Sequence, residues 1–221
     1  LMEVGVGEAT TLNFTLSHLK SLGASVPSFG FDISLSRLLF AEKFLREHGN
    51  KSQLFTATLG RIPLPESSVH AVYSCHSLEP NYGREKDILR EMLRVSSEFL
   101  VLVEPSYELG SDGTRAHIEK HRYVRGLADS LRELGAEILR HELWGLDVNP
   151  TNQAALIVAR KPGGGKPVPA ELSSPVSGRQ MRPHGSFLFS PDDGLLFPVV
   201  NGIPCLLVEN GVLCTRLPSF L

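Results

Sequence analysis

The chain has 221 residues, a formal net charge of -2 at pH 7, 42% hydrophobic residues and 21% charged residues. This composition is typical of a folded globular protein, and the absence of an overall positive field argues against nucleic acid as a partner. No apolar run approaches the ~20 residues that a membrane-spanning helix needs, so no membrane partner is expected. The 3 cysteines do not form the pattern of a disulfide framework, which favours a reducing, cytoplasmic location.

The chain opens on a pattern that is typical of a strand, a glycine turn and the start of a helix. Residues 1–12 read LMEVGVGEATTL, with glycine at Gly5 and Gly7. Glycine has no Cβ, so the backbone can turn sharply and a ligand can lie against it. The helix that follows would direct free N–H groups at that ligand. Glu3 precedes the first glycine, and Asp32 ends the next apolar run, where a carboxylate is well placed to hold two ribose hydroxyls.

Helices and strands alternate along the first three quarters of the chain. Helical spacing and capping residues predict the helices Thr11–Leu22, Ser34–Glu47, Arg84–Val95 and Asp112–Leu134. Apolar runs predict the strands Ser25–Phe31, Gln53–Thr58, Val69–Ser74, Glu98–Glu104, Ala136–Leu143 and Ala154–Ala159. The chain begins inside its first strand, so we expect a native segment before Leu1. The alternation predicts the α/β class.

The opening motif resembles motif I of the class I S-adenosylmethionine-dependent methyltransferases, which is written roughly acid-x-Gly-x-Gly-x-Gly. Glu3, Gly5 and Gly7 match it, and Ala9 stands where the third glycine usually is. A nicotinamide-dependent Rossmann enzyme is the competing interpretation, but its third small residue would fall on Thr10, which fits poorly. The resemblance implies a Rossmann-like, seven-stranded sheet with helices on both faces and an antiparallel last strand. It also implies an enzyme whose cofactor is S-adenosyl-L-methionine.

The resemblance also indicates which residues would bind this cofactor. They come from the opening strand and turn, from the ends of the second and third strands, and from the fourth strand. In chain order they are Glu3, Val4, Gly5, Gly7, Glu8, Asp32, Ile33, Thr58, Leu59, Ser74 and Cys75. In the family, an acid at the position of Thr58 commonly holds the adenine amino group. A threonine could still accept one hydrogen bond there, and the backbone at Leu59 is the alternative.

Three residues that follow the fourth and fifth strands are the predicted catalytic groups: His76, Glu79 and Glu104. Ligands of open α/β sheets bind beyond the carboxyl ends of parallel strands. A histidine titrates near neutral pH and can take a proton from an acceptor hydroxyl or amine. Each residue has an alternative interpretation: packing beside the cofactor for His76, orienting substrate or capping a turn for Glu79, and a solvated strand end for Glu104.

Two polar segments could also contact a substrate. The predicted helix from Asp112 carries a basic cluster around Tyr123, which either binds an anionic substrate or is a solvated helix face. The cluster consists of Arg115, His117, Lys120, His121, Arg122 and Arg125. Residues 147–153 form a polar loop between the last two predicted strands.

The composition of residues 161–170 is that of a linker, and it divides the chain into a methyltransferase domain (1–160) and a tail (171–221). Leu172–Leu207 resembles the small zinc-ribbon module that activates tRNA and protein methyltransferases, chiefly through the run FPVVNGIP at 197–204. The zinc-ligand positions of that module are here Ser174, Ser177, Ser190 and Asp193. Zinc prefers thiolate or imidazole ligands, so we expect no metal. The stability should instead come from docking on the large domain through Phe187, Leu188, Phe189, Leu196, Phe197 and Val199.

These features favour an S-adenosylmethionine-dependent methyltransferase that acts on O or N of a small molecule, such as a sugar or a phosphorylated metabolite. A non-catalytic cofactor-binding or partner-binding module derived from a methyltransferase is one alternative, and an RNA or protein methyltransferase is another. The loop Cys75–Asn81 lacks an Asn-Pro-Pro-Tyr-type motif, which argues against methylation of a base nitrogen. The expected partner is a small-molecule substrate, and the formation of a homodimer is left as an open alternative.

Overall fold

The computed structural model describes residues 1–146 and 149–214, which form a large mixed sheet with helices and a smaller antiparallel sheet. The helices are α1 (Thr10–Ser21), α2 (Leu35–Glu47), α3 (Glu85–Val95), α4 (Asp112–His121) and α5 (Leu127–Glu133). The strands of the large sheet are β1 (Met2–Val4), β2 (Phe29–Asp32), β3 (Gln53–Thr56), β4 (Val69–Cys75), β5 (Ser96–Pro105), β6 (Glu137–Leu143) and β7 (Ala154–Arg160). The strands of the small sheet are β8 (Arg182–His184), β9 (Phe187–Ser190), β10 (Leu195–Val200), β11 (Ile203–Pro204) and β12 (Val212–Leu213). None of the helices described is both long and apolar enough to cross a bilayer.

The seven strands of the large sheet run in the order β3-β2-β1-β4-β5-β7-β6. Strand β1 is parallel to β4, β4 to β5, and β2 to β3, whereas β7 is antiparallel to both β5 and β6. This arrangement confirms the predicted Rossmann-like methyltransferase sheet and its antiparallel last strand. The strand order reverses between β1 and β4, and ligands of such sheets bind beyond the carboxyl ends of strands at this switch point.

Contacts divide the chain into two compact units, and each has its own buried core. The first unit contains Leu1–Gly5 and Glu66–Val168, and the second contains Val6–Pro65 and the chain from Pro169 onward. The largest apolar side chains buried in the first unit include Met2, Leu78 and Ile88. Those of the second unit include Phe31, Leu38, Phe55, Phe189 and Phe197.

The predicted linker is fixed to the first unit over most of its length. Lys161 N donates to Glu98 O at 2.7 Å, Gly165 N to Ser97 O at 2.8 Å, and Val168 N to a carbonyl of the same unit at 3.2 Å. The side chain of Lys161 adds another hydrogen bond to the first unit, since its Nζ donates to Ser67 Oγ at 2.9 Å. The segment has the composition of a linker, but these hydrogen bonds fix it to the first unit.

Some predicted element boundaries are wrong, and the cause is local backbone chemistry. The predicted helix Asp112–Leu134 is two helices, because Arg122 and Gly126 are left-handed, with φ of 54° and 62°. Strand β2 begins at Phe29 instead of Ser25, and Pro27 has no N–H to give to a ladder. Strand β3 ends at Thr56 instead of Thr58, where the chain turns into a short bridge between Thr58 and Arg61.

The tail docks on β3, which is the edge strand of the large sheet. Cys205 forms a parallel bridge with Thr56, Ser173 N donates to Pro63 O at 2.9 Å, and Arg61 donates to the carbonyl of Val176. Covering an edge strand removes its exposed backbone groups from unwanted pairing. Among the apolar residues that we expected to dock, Phe189 and Phe197 are buried, and the other four are partly exposed. Residues 215–221 of the predicted tail lie outside the described part.

Candidate functional site

The glycine turn that follows β1 has the left-handed backbone that its sequence predicts. Gly5 and Gly7 have φ of 65° and 53°, and Ala9 adopts φ 63° at the N-cap of α1. A non-glycine residue pays ~1–2 kcal/mol for this conformation, so its presence at Ala9 requires support from its surroundings. Ala9 offers no side-chain cap, and the first turn of α1 carries no acidic residue. The positive end of α1 is therefore not neutralised by a cap of its own.

Asp32 ends β2 and holds the glycine turn in the second unit. Its Oδ2 accepts from Gly7 N at 3.0 Å, and its Oδ1 accepts from Ser34 N at 2.9 Å. The residue is only 7% exposed. Each carboxylate oxygen keeps a second lone pair, so Asp32 could accept two ribose hydroxyls while it still holds the turn. This arrangement fits the nucleoside part of an adenosyl cofactor.

Arg37 lies over the same turn, and sequence reasoning missed it. Its Nε and Nη2 donate to the two carboxylate oxygens of Glu8 at 2.9 and 2.8 Å, and its Nη1 lies 3.9 Å from Asp32 Oδ2. A Cβ added to Gly7 would come within 2.5 Å of Arg37 Nη2. A nucleoside on this turn would therefore share its space with a guanidinium. That side chain is half-exposed, so it can move.

One signal in the sequence could have identified Arg37. It lies in the first turn of α2, where a positive charge opposes the helix dipole and is normally disfavoured. The bidentate pair with Glu8 offsets that effect. In the pair, the hydrogen bond from Arg37 lowers the pKa of Glu8.

The other cofactor residues predicted in the second unit lie near the ends of β2 and β3. Ile33 follows Asp32 and is 66% exposed. Thr58 is exposed and Leu59 is half-buried. Ala57 N donates to Asp32 O at 3.2 Å, so the segment after β3 runs beside the end of β2. Of these positions, Ile33 and Thr58 are open to solvent in this unit, whereas Asp32 is buried.

In the first unit, the predicted cofactor residues of β1 are tied to β4 and the loop after it. Glu3 is buried, and its Oε2 accepts from Tyr73 Oη at 2.8 Å. Ser77 Oγ donates to Val4 O at 2.8 Å. A Cβ on Gly5 would come within 2.4 Å of Ser77 Cβ, so glycine is required here by packing within the protein. Ser74 is buried and Cys75 half-buried near the end of β4.

His76 and Glu79, in the loop after β4, form a hydrogen-bonded pair. His76 Nδ1 lies 2.7 Å from Glu79 Oε1, and Asn152 Nδ2 donates to the same oxygen at 3.4 Å. The backbone of His76 is left-handed, with φ 51°, and its N–H donates to Val103 O at 3.0 Å. Such strain costs ~1–3 kcal/mol and clusters at functional sites. An imidazole oriented by a carboxylate, with its side chain 41% exposed, is the arrangement that a general base needs.

Glu104 lies near the end of β5 and accepts hydrogen bonds from the backbone of this loop. Its Oε1 accepts from Ser77 N at 3.1 Å, and its Oε2 accepts from Leu78 N at 3.2 Å. Burial raises the pKa of Glu104 from 4.5 to about 7, against the opposing effect of these donors and of the charge on His76. The residue is 2% exposed. The structure therefore brings all three predicted catalytic residues together and gives Glu104 contacts with the backbone of the His76 loop.

The four tail positions that the sequence resemblance aligned with zinc ligands meet at one oxygen atom, Oδ2 of Asp193. Asp193 Oδ2 accepts from Ser174 Oγ at 2.5 Å, from Ser190 Oγ at 2.5 Å and from Ser177 Oγ at 2.9 Å. Burial acts to raise the pKa of Asp193, but the three hydroxyls together hold it below its usual range. Within the described residues, no cluster of His, Cys, Asp and Glu side chains is arranged to hold a metal ion.

No protein-family model and no curated protein matches this sequence. Solved structures do match the fold. The [4+2]-cyclase SpnF is 20% identical with a TM-score of 0.58, over 74% of each chain. Geranyl diphosphate methyltransferase in complex with S-adenosylmethionine is 13% identical with a TM-score of 0.57, over 72% of this chain and 77% of that one. A chain from the complex of the Haloferax volcanii Trm112 methyltransferase activator with a methyltransferase is 14% identical with a TM-score of 0.56, over 75% and 82%.

The likeness shows the fold. Methyltransferases are well represented among the structures that share it, but one of them is named as a cyclase. The fold by itself therefore leaves the reaction to be argued from the residues of each unit.

Proposed function

We propose that this chain is an S-adenosylmethionine-dependent methyltransferase that acts on an oxygen or nitrogen of a small molecule. The observation that carries the proposal is the contact between Asp32 and the glycine turn, which leaves acceptor sites for ribose on a buried carboxylate. The pair formed by His76 and Glu79 is the second support, because it supplies a base that follows the carboxyl end of a parallel strand.

When bound, the cofactor would supply an electrophilic methyl group on a sulfonium. The protein's own part is to hold the nucleoside through Asp32 and the turn at Gly7, and to receive the acceptor's proton. His76 would take that proton on Nε2, since its Nδ1 is engaged by Glu79. Glu79 would hold the imidazole in one orientation and stabilise its charged form. Glu104 would keep the loop of His76 in place through the backbone at Ser77 and Leu78.

Calorimetric titration with S-adenosylmethionine tests the binding step. We expect saturable binding by the wild type and an affinity lowered about 10- to 150-fold in Asp32→Asn, because a carboxylate hydrogen bond to a bound hydroxyl contributes ~1.5–3 kcal/mol. Glu42→Gln, at an exposed position of α2, is the matched control and should bind as the wild type does. An absence of binding at millimolar cofactor would reject the proposal.

Release of S-adenosylhomocysteine with a panel of small acceptors tests the chemical step. With an accepted substrate, His76→Ala should lower kcat by about 10²–10⁴-fold while cofactor affinity stays the same. Unchanged turnover in this variant would remove His76 from the role of base. Cofactor binding without turnover on any acceptor would instead support the non-catalytic module.

We further propose that the tail is a zinc-ribbon-like module in which a hydrogen-bonded cluster replaces the metal. The support is that Ser174, Ser177, Ser190 and Asp193, which were matched to ligand positions by resemblance, meet at one carboxylate oxygen. A single charged acceptor with three hydroxyl donors cross-links the two turns that a metal would otherwise join.

A further inference from the structure

The segment that joins α4 to α5, Arg122–Gly126, is fixed between two loops of the first unit. Val124 N donates to Glu79 O at 3.1 Å, which ties the segment to the loop that carries His76. Gly126 N donates to Glu108 Oε1 at 2.7 Å, which ties it to the loop after β5. The segment that carries the two arginines is therefore hydrogen-bonded to Glu79, the residue that pairs with His76.

The guanidinium groups of this segment stack on tyrosine rings. Arg122 lies 5.5 Å and Arg125 lies 5.4 Å from the ring centre of Tyr82, and Arg125 also lies 4.5 Å from the ring centre of Tyr107. Cation–π contacts of this kind fix the position of a guanidinium without neutralising its charge. Arg122 is in addition held in the left-handed region, with φ 54°.

Neither of these two positive charges forms a direct ion pair within the part of the chain that the structure describes. Within residues 1–146 and 149–214, neither Arg122 nor Arg125 has a carboxylate oxygen within 4.0 Å, and Nε of Arg125 is buried without a hydrogen-bond partner. The adjacent arginines differ, because Arg115 and Arg132 each pair at 2.6 Å with an aspartate three residues earlier.

Carboxylates are close to the segment, but other donors engage them. Glu85 Oε1 accepts from the backbone N of Arg125 at 3.2 Å, Glu108 Oε1 accepts from Gly126 N at 2.7 Å, and Glu119 Oε1 accepts from Tyr107 Oη at 2.8 Å. Two guanidinium groups on one ring repel each other, and an oxyanion bound to both would relieve that repulsion.

We propose that Arg122 and Arg125 form an anion-binding site for the methyl acceptor, which carries a carboxylate or a phosphate group. The identification of the ligand as the acceptor rests on the proposed function. The site then places the anionic group of the acceptor on a segment that is hydrogen-bonded to Glu79 through Val124 N. Glu79 is in turn hydrogen-bonded to His76. An uncharged acceptor gains nothing from this arrangement, so the site would select for anionic ones.

Amide and arginine-side-chain NMR spectra test the anion site with two probes, inorganic phosphate and acetate. At least one probe should give saturable shifts at Val124 and at the Nε–H of Arg125, and sodium chloride at the same ionic strength should not. The double variant Arg122→Gln/Arg125→Gln should weaken that binding by about tenfold or more. Arg132→Gln, which removes a paired and exposed arginine, is the matched control and should keep it.

The comparison of the two probes separates a phosphate-bearing acceptor from a carboxylate-bearing one. Shifts equal to those in chloride, or saturable binding that persists in the double variant, would overturn the inference. The same samples are titrated with S-adenosylmethionine. A wild type that binds the cofactor but neither anion defeats this inference alone, whereas a wild type that binds an anion but no cofactor defeats the proposed function alone.

Discussion

The carboxyl group of Glu104 makes the stability of the first unit depend on pH, and Glu104→Gln should remove that dependence. In the folded chain, burial raises the pKa of this group from 4.5 to about 7. Glutamine keeps the size of the side chain and an oxygen that can accept from Ser77 N or Leu78 N. It does not ionise.

The expected magnitude follows from linkage between protonation and folding. Between pH 4.5 and about 7, the unfolded chain has released the proton of Glu104 while the folded chain still holds it. The free energy of unfolding therefore falls as pH rises through this window, and the contribution is fully lost above the folded pKa. The difference between the two pKa values corresponds to about 3 kcal/mol at ~1.4 kcal/mol per pH unit.

Urea unfolding of the wild type and of Glu104→Gln at several pH values from 4 to 8.5 measures this difference directly. The variant should gain about 3 kcal/mol relative to the wild type over that range, with most of the gain between pH 5 and 7. Glu133→Gln changes an exposed glutamate of α5 that pairs with Lys86, and its free energy of unfolding should have the same pH dependence as that of the wild type. A constant difference between the wild type and Glu104→Gln, or a carboxyl ¹³C titration with its midpoint near the ordinary 4.5, would refute the reasoning.

Two further substitutions test contacts in the second unit. Arg37→Ala should strengthen S-adenosylmethionine binding by up to about fivefold, because the guanidinium over Gly7 no longer has to leave its exposed pair with Glu8. Weaker binding by this variant in calorimetry would instead make Arg37 a cofactor ligand. Asp193→Ala should destabilise the tail by about 2 kcal/mol, which would be measured as faster amide exchange at residues 174–178. The control is Asp192→Ala, which changes the exposed neighbouring aspartate. About one zinc per purified chain in metal analysis would contradict the proposed tail.

The sequence predicted the large sheet well because several of its strands, including β5 and β7, contain continuous apolar runs. Strand β5, predicted as Glu98–Glu104, extends over Ser96–Pro105, and β7 has the antiparallel direction that the resemblance implies. Errors of prediction occur where a single residue leaves the regular backbone. Arg122 is such a residue, since nothing in its side chain indicates a left-handed conformation.

The candidate site was only partly predictable, because several of its contacts join residues that are far apart in sequence. Asp32 was predicted as a ribose ligand, but its hydrogen bond to Gly7, 25 residues earlier, needs the folded backbone. The guanidinium of Arg37 over the same turn and the stacking of Arg125 on Tyr82 are likewise set by tertiary packing. The assignment of these residues to a cofactor or an acceptor stays a prediction.

Each of three candidate functional features contains a non-glycine residue with a left-handed backbone. Among the described residues, 5 non-glycine residues have positive φ, and Ala9, His76 and Arg122 are three of them. Ala9 keeps, without being a glycine, the conformation expected of the third glycine in the opening motif, at a cost of ~1–2 kcal/mol. His76 carries the candidate base, and Arg122 belongs to the proposed anion site. Strain persists only where the surrounding structure imposes it, and it concentrates at sites that bind or react. Three of the five residues therefore lie at features that were inferred separately from charge and hydrogen bonding, whereas the other two, Ser67 and Asn201, lie in turns outside them.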